Sequence, residues 1–152
     1  MPLRGVRTVG VYETVLYMPD PRAAASFYSD VLGLPELEEP DHLSAVFRLP
    51  DGNVLLIFDP QESARPGRPV PSHGSAGAGH VAFMVEPGSL DSALETLRDR
   101  GIEIEQETDW GRGRSVYIRD PAGNSVELVD GDIWPPRVDA LGGSLVGQKP
   151  GS

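Results

Sequence analysis

One order of secondary-structure signals occurs twice in this sequence. A β-branched run comes first, then an amphipathic helical stripe, then two strand-like runs that meet at a Gly-Asn turn. The second half repeats this order. Nearly the same length of chain separates Gly33 from Gly101 as separates Gly52 from Gly123. Neither half could cover its own sheet alone, so the repeat predicts an α+β protein in which two units pack as one domain.

The local signals also predict where the segments begin and end. Asp20 followed by Pro21 indicates a helix start, and Gly33 indicates its end. A run of residues rich in Pro, Gly and Ser indicates a linker, and a Gly-rich and Pro-rich stretch near the end indicates a loose tail in which Ile133 and Trp134 could dock. The predicted parts are a first module at about 9–59, a linker at 60–78, a second module at about 79–130 and a tail at 131–152. The predicted strands lie at 9–18, 46–49, 54–58, 80–85, 102–105, 115–119 and 125–129.

Composition narrows the function. The net charge of -10 argues against nucleic acid and acidic membrane surfaces as partners, because both require a basic protein face. With no cysteine, any metal must be bound by His, Asp or Glu. No apolar stretch is long enough to cross a bilayer, and none follows residues 1–5 as an export signal would require, so we expect a cytoplasmic protein.

Three ionisable residues lie at related positions in the repeat. His80 opens an apolar strand-like run, and alternation predicts that it shares a face with Ala82 and Met84. Glu13 lies at the matching point of the first strand, because the offset of the repeat places it opposite His80. Glu127 is in the last strand of the second module, and the offset that relates the two Gly-Asn turns pairs it with Leu56 of the first.

Each of these residues also has an explanation without function. Glu13 could pair with Arg48 or Arg119, His80 could be a hydrogen-bonded structural histidine, and Glu127 could lie on a solvated edge strand. Buried without a partner, a carboxylate would cost several kcal/mol. One divalent cation would satisfy all three groups, and a His with two carboxylates suits Mn²⁺, Fe²⁺ or Zn²⁺. We therefore interpret Glu13, His80 and Glu127 as a metal site.

Four segments together resemble the vicinal oxygen chelate superfamily, the group of glyoxalases, bleomycin-resistance proteins and extradiol dioxygenases. They are residues 13–20, 24–34, 79–83 and 120–128. The resemblance covers about residues 9–130 and implies two βαβββ modules whose sheets form a cup. It further implies a metal on the floor of the cup, bound at Glu13, His80 and Glu127, and a homodimer.

Two positions depart from the family pattern. The first-strand ligand is usually histidine, whereas this chain has Glu13, which makes the site more anionic than the two-histidine, one-carboxylate iron site of extradiol dioxygenases. The fourth ligand of glyoxalase I would be in the last strand of the first module, where this chain has Leu56. We therefore do not expect an authentic glyoxalase I.

Other residues are candidates for catalysis and substrate binding. Tyr117 is a candidate acid if its hairpin points alternate residues into the cup, and His73 is a candidate group that swings over the cavity mouth. Arg114 is a candidate anchor for a carboxylate or phosphate, Trp110 a candidate wall of the pocket and His42 a weaker candidate for substrate binding. Tyr117 and Trp110 could instead be packing residues, and His73 a solvated loop residue.

The function expected from these features is a divalent-metal-dependent enzyme, glyoxalase-like or dioxygenase-like. Its substrate would be a small molecule that chelates the metal through neighbouring oxygens. The alternative is a metal-free protein that sequesters a cationic antibiotic of the bleomycin type, which the negative charge would suit. A fosfomycin-type transferase would need more cationic groups than this acidic chain carries.

Overall fold

The computed structural model describes residues 5–134, and the predicted tail beyond Trp134 lies outside this range. The chain divides into two compact units between Gly77 and Ala78, inside the predicted linker. Each unit has its own mixed sheet and few helices, which confirms the α+β class. At the end of the described range Trp134 is 75% exposed, and its backbone oxygen accepts a hydrogen bond from Arg112 Nη1 at 2.5 Å.

The first unit contains three strands in the order β1-β3-β2. Strand β1 runs parallel to β3, and β2 runs antiparallel to it. An isolated antiparallel β-bridge joins Glu36 to Phe47 of β2, on the side of β2 away from β3. The elements are β1 (Glu13–Tyr17), α1 (Arg22–Ala24) with a π-helical turn after it (Ala25–Ser29), β2 (Ser44–Arg48), β3 (Val54–Phe58) and α2 (Pro60–Ser63).

The second unit repeats this topology with four full strands in the order β4-β7-β6-β5. Its β4 runs parallel to β7, as β1 does to β3. Glu13 is paired with Val54, and His80 is paired with Ser125, so the two offsets predicted from the sequence are present in the strand register. The elements are β4 (His80–Met84), α3 (Leu90–Asp99), β5 (Gln106–Asp109), β6 (Gly113–Arg119) and β7 (Ser125–Gly131).

Several predicted boundaries were wrong. Strand β1 begins at Glu13 rather than Val9. Among residues 5–134, continuous pairing with β3 starts at Glu13, and a single bond from Val54 N to Tyr12 O comes before it. The strand predicted at 102–105 lies at Gln106–Asp109, where β6 supplies its partner. The predicted linker begins with a helix, since the Asp59 carboxylate caps the amides at the start of α2.

The two faces of the second sheet differ. One face contributes apolar side chains to a core that also contains the buried face of α3. Its buried members are Val116, Ile118, Val126, Leu128, Leu90, Leu94 and Leu97. Because side chains alternate along a strand, the opposite face of the same strands carries the polar residues considered next.

Candidate functional site

Three of the predicted site residues lie together on the second sheet. Glu127 of β7 is paired with Ala82 on one side and with Tyr117 of β6 on the other. His80, two residues before Ala82, is on the same face of β4. His80, Tyr117 and Glu127 therefore lie close together on one face of the second sheet.

His80 and Glu127 face each other. His80 Nε2 is 3.3 Å from Glu127 Oε1, and His80 Nδ1 is 3.1 Å from the backbone oxygen of Ser125. A carbonyl oxygen can only accept, so the ring hydrogen lies on Nδ1. In a neutral imidazole, Nε2 is then an acceptor that faces a second acceptor. Such a pair requires a proton or a cation between its two atoms.

The second oxygen of Glu127 is bound by the protein. Ser115 Oγ donates to Glu127 Oε2 at 2.5 Å, and Trp110 Nε1 donates to Ser115 Oγ at 2.9 Å. The Glu127 side chain is only 7% exposed, whereas that of His80 is 51% exposed. Glu127 is thus held from the interior, and solvent reaches the pair from the His80 side.

Asn124 fixes the chain just before His80. Its side-chain oxygen accepts a hydrogen bond from Gly79 N at 2.7 Å, and its side-chain nitrogen donates to Asp120 Oδ2 at 2.9 Å. Both Asn124 and Asp120 are buried. Ser125 N also donates to Gly79 O at 2.9 Å, so the start of β4 is held by both backbone and side chain.

Tyr117 lies beside the His80 ring. The ring centroids are 6.4 Å apart and the planes differ by 27°. Burial raises the pKa of the Tyr117 phenol and the negative charge of Glu127 raises it further, while the hydrogen bond with Ser115 acts in the opposite direction. Tyr117 is therefore a protonated phenol at neutral pH, able to donate a hydrogen bond or a proton.

We expect the phenol of Tyr117 to ionise above its ordinary pKa of 10.0 in the metal-free protein. The unfolded chain then loses this proton first as pH rises, so the contribution of Tyr117 to stability is present below pH 10 and is lost at higher pH. Tyrosinate absorbance, compared between wild type and Tyr117→Phe, isolates this group. Glu127→Gln should shift its titration towards lower pH, and a phenol that ionises at or below pH 10 in the wild type would contradict the assignment.

Glu13, His42 and His73 belong to the first unit. Glu13 is exposed at the start of β1, so the prediction that it is buried was wrong. It lies on β1, which in the described part of this unit is an edge strand paired with β3 on one side. The arginines considered as its partners bind elsewhere, since Arg48 donates to Gly52 O and Arg119 pairs with Glu105.

His73 is anchored in the first unit. Its Nδ1 is 2.8 Å from the Tyr17 hydroxyl, and its ring packs edge-on against Phe58 with centroids 4.8 Å apart. The buried hydroxyl of Ser63 donates to its backbone oxygen at 2.8 Å. These contacts tie the linker to β1 and β3. His42 is exposed, with Nε2 4.0 Å from a Glu62 oxygen.

Arg114 and Trp110 are placed differently from each other. Arg114 lies on the face of β6 opposite Tyr117, and its Nη1 pairs with Asp91 Oδ1 of α3 at 2.9 Å. This is a consequence of strand alternation, because Arg114 and Tyr117 are an odd number of residues apart.

Trp110 reaches the site through its indole nitrogen. Ser115 and Asn124 were not predicted, although Ser115 shares the alternation of Tyr117 and was recognisable on that ground.

Across the described range, 5–134, no group of three or more His, Asp or Glu side chains is close enough to hold a metal ion. His80 and Glu127 form a two-residue pair. A shallow cavity of about 520 Å³ lies elsewhere on the second unit, lined by Gly101, Ile102, Glu103, Glu105 and Arg119. None of the predicted site residues lines this cavity. The candidate site is therefore chosen from the contact between His80 and Glu127 and not from the size of a cavity.

Comparison with known proteins identifies the family. Residues 10–128 match the model of the Glyoxalase/Bleomycin resistance protein/Dioxygenase superfamily. The chain belongs to this superfamily, which confirms the resemblance seen in the sequence. The match spans both repeated units and includes Glu13, His80 and Glu127.

Individual relatives include named enzymes. Biphenyl-2,3-diol 1,2-dioxygenase 3 of Rhodococcus globerulus is 32% identical over 107 residues, which cover 70% of this chain and 55% of that protein. The chain spans about half the length of the curated relatives it matches. The crystal structure of lactoylglutathione lyase from Agrobacterium tumefaciens is 38% identical, with a TM-score of 0.78 over 84% of this chain and 97% of that one. A glyoxalase/dioxygenase structure from Nostoc punctiforme is 29% identical, with a TM-score of 0.62 over 84% and 99%.

None of the helices within residues 5–134 has the length and hydropathy needed to cross a membrane.

Proposed function

We propose that this protein is a divalent-metal-dependent enzyme acting on a small substrate that presents two neighbouring oxygens. The observation that carries the proposal is the 3.3 Å separation of His80 Nε2 and Glu127 Oε1, which face each other at the surface of the second unit. The remaining polar atom of each side chain is already bound within the protein, by Ser125 O and Ser115 Oγ. A cation would be bound by the two atoms that face each other, His80 Nε2 and Glu127 Oε1.

The residues present fit a metal ion. Two ligands about 2.1 Å from a metal in octahedral or tetrahedral geometry are roughly 3.0–3.4 Å apart, which is the range of the observed separation. Metal-binding histidines usually donate their other ring N–H to a carbonyl or carboxylate, as His80 donates to Ser125 O. An imidazole and a carboxylate together suit Zn²⁺, Fe²⁺ or Mn²⁺.

Glu13 is a further candidate ligand on sequence grounds alone. The assignment rests on the repeat register, in which Glu13 and His80 occupy equivalent first-strand positions. Its exposure at a sheet edge leaves its carboxylate accessible. The position of the first unit that is equivalent to Glu127 is Leu56, whose side chain has no atom that could bind a metal.

The chemistry follows from the surroundings of this pair. A bound cation would supply Lewis-acid stabilisation of negative charge on a chelating substrate. Tyr117 holds its proton at neutral pH and lies directly opposite Glu127 in the register of β6 and β7. Its hydroxyl is therefore the proposed proton donor. Ser115 and Trp110 hold Glu127, and Asn124 holds the backbone before His80.

The relatives suggest the substrate class. A biphenyl-2,3-diol carries hydroxyls on neighbouring carbons by its name, which is the chelating arrangement proposed here. With Glu13 in place of a histidine, the ligand set has two carboxylates and one imidazole. The proposal therefore covers both a dioxygenase-like and a glyoxalase-like reaction. The first substrates to test are 2,3-dihydroxybiphenyl and the hemithioacetal of methylglyoxal with glutathione.

The test starts from metal-free protein. Zn²⁺, Mn²⁺ and anaerobic Fe²⁺ are titrated by calorimetry, and both probes are then assayed with each metal. We expect binding of one metal per chain and turnover only in the loaded protein. A wild type that takes up none of the three metals removes the proposal. Tight binding of bleomycin by metal-free protein, with no metal uptake, would establish the alternative of a sequestering protein.

A further inference from the structure

The indole of Trp110 is the outermost member of a chain of hydrogen bonds that ends on Glu127. Trp110 Nε1 donates to Ser115 Oγ at 2.9 Å, and Ser115 Oγ donates to Glu127 Oε2 at 2.5 Å. Ser115 is 1% exposed and Glu127 is 5% exposed, whereas Trp110 is 47% exposed. These two hydrogen bonds thus link a surface ring to a buried carboxylate.

The direction of these bonds is determined by chemistry. An indole N–H can only donate, so Ser115 Oγ must accept from Trp110. The serine hydroxyl has a single hydrogen, and that hydrogen is directed at Glu127 Oε2. Glu127 Oε2 therefore accepts a hydrogen bond from within the protein, whereas Glu127 Oε1 faces His80 Nε2.

The backbone around Trp110 holds the indole in place. Trp110 N donates to Gly113 O at 2.9 Å, and Gly111 N donates to Asp109 Oδ1 at 2.8 Å across the turn between β5 and β6. Gly111 has a φ of 77°, which a glycine adopts without strain. The half-exposed ring therefore has a defined position although it lies in a hairpin loop.

We infer that Trp110 is a positioning residue that acts through Ser115 to make Glu127 a one-oxygen ligand. This inference rests on the proposed function, which supplies the metal. It adds a role for Trp110, which would contact neither the metal nor the substrate. By polarising the Ser115 hydroxyl, the indole N–H strengthens the bond that holds Oε2. Loss of that N–H leaves Glu127 free to turn, and the affinity for metal decreases.

A plain packing role for Trp110 makes a different prediction. Phenylalanine at this position keeps a smaller aromatic ring and removes the N–H donor. If the ring acts by packing alone, any effect of Trp110→Phe on the affinity for metal is independent of Ser115 and adds to the effect of Ser115→Ala. If the N–H acts through Ser115, Trp110→Phe weakens metal binding, and the same substitution has no further effect once Ser115 is alanine.

The affinity measurements use the full chain and Zn²⁺ as the probe. We expect Ser115→Ala to weaken Zn²⁺ binding by about 10–100-fold and Trp110→Phe by about tenfold, as for other groups that orient a metal ligand. The double variant should bind Zn²⁺ as Ser115→Ala does. Trp134→Phe, at the other tryptophan, is the matched control and should bind as the wild type does. Equal affinity in Trp110→Phe and wild type, or additive effects in the double variant, would overturn the inference.

A second readout needs no metal. In ¹⁵N-labelled Trp134→Phe protein, Trp110 is the only source of an indole N–H resonance. We expect Glu127→Gln to shift this resonance in metal-free protein, Glu107→Gln to leave it in place, and Ser115→Ala to remove its response to position 127. A wild type that binds no Zn²⁺ refutes the proposed function alone. An indole resonance that ignores Glu127→Gln refutes the positioning role whether or not metal binds.

Discussion

Glu127→Gln is expected to weaken metal binding severely while leaving the fold intact. Ser115 can donate only to the oxygen of the new amide, so the amide nitrogen is directed towards His80 Nε2. It donates a hydrogen bond to the lone pair that a cation would otherwise occupy. The substitution therefore satisfies the buried groups and removes both the charge and the ligand atom.

The expected size of this effect exceeds that of an orienting group. Loss of a ligand should weaken Zn²⁺ or Mn²⁺ binding by more than the roughly 10–100-fold typical of outer partners, and turnover should decrease with it. Calorimetric titration of metal measures the first effect, and the probe assays measure the second.

Glu107→Gln provides the matched control. Glu107 is a carboxylate of the same unit with a 46% exposed side chain, 3.7 Å from Arg98, and its loss should leave metal affinity unchanged. A Glu127→Gln protein that binds metal as tightly as the wild type would show that Glu127 is not a ligand. Equal losses in both variants would point to a general effect of net charge.

Asn124→Ala is expected to lower the free energy of unfolding by about 2–4 kcal/mol. The alanine leaves Gly79 N without its acceptor and removes one donor from the buried Asp120 carboxylate. Urea denaturation followed by circular dichroism measures the change. Because Gly79 precedes His80, we also expect weaker metal binding in any Asn124→Ala protein that remains folded.

The internal repeat supplies the control for this prediction. Asn53 occupies the position of Asn124 in the first unit, but its side-chain nitrogen donates only to the exposed carboxylate of Asp51, at 3.1 Å. Asn53→Ala should change stability by no more than about 0.5 kcal/mol. A loss at position 53 as large as that at position 124 would show that the shared turn, and not the bond to Gly79, is responsible.

The comparison of the two asparagines illustrates what a repeat can and cannot predict. Gly52-Asn53 and Gly123-Asn124 occur at the same points of the two units, and both turns have the predicted backbone, with φ of 88° and 86° at the glycines. Their side chains have different partners. Local sequence determines the turn, because a positive φ favours glycine, whereas the partner that Asn124 binds at Gly79 is distant in the chain.

Predicted boundaries failed where a strand depended on its neighbours. Residues 9–12 have strand-forming side chains, but they lack the continuous pairing that begins at Glu13. The short helix α1 and the π-helical turn after it replace one longer predicted helix, although Phe27 and Tyr28 are buried as the stripe requires. Strand pairing is a tertiary property, and propensity alone does not supply the partner.

The sequence by itself determined the duplicated order of strands and the family, because strand alternation and the repeat offsets are local and periodic. Only the tertiary structure decided that Ser115 and Trp110 hold Glu127, that Asn124 holds the start of β4, that Arg114 faces α3 and that Glu13 is exposed. Those facts depend on which atoms meet across strands distant in the chain, and hydrogen bonds of that kind leave no periodic signal in a single sequence.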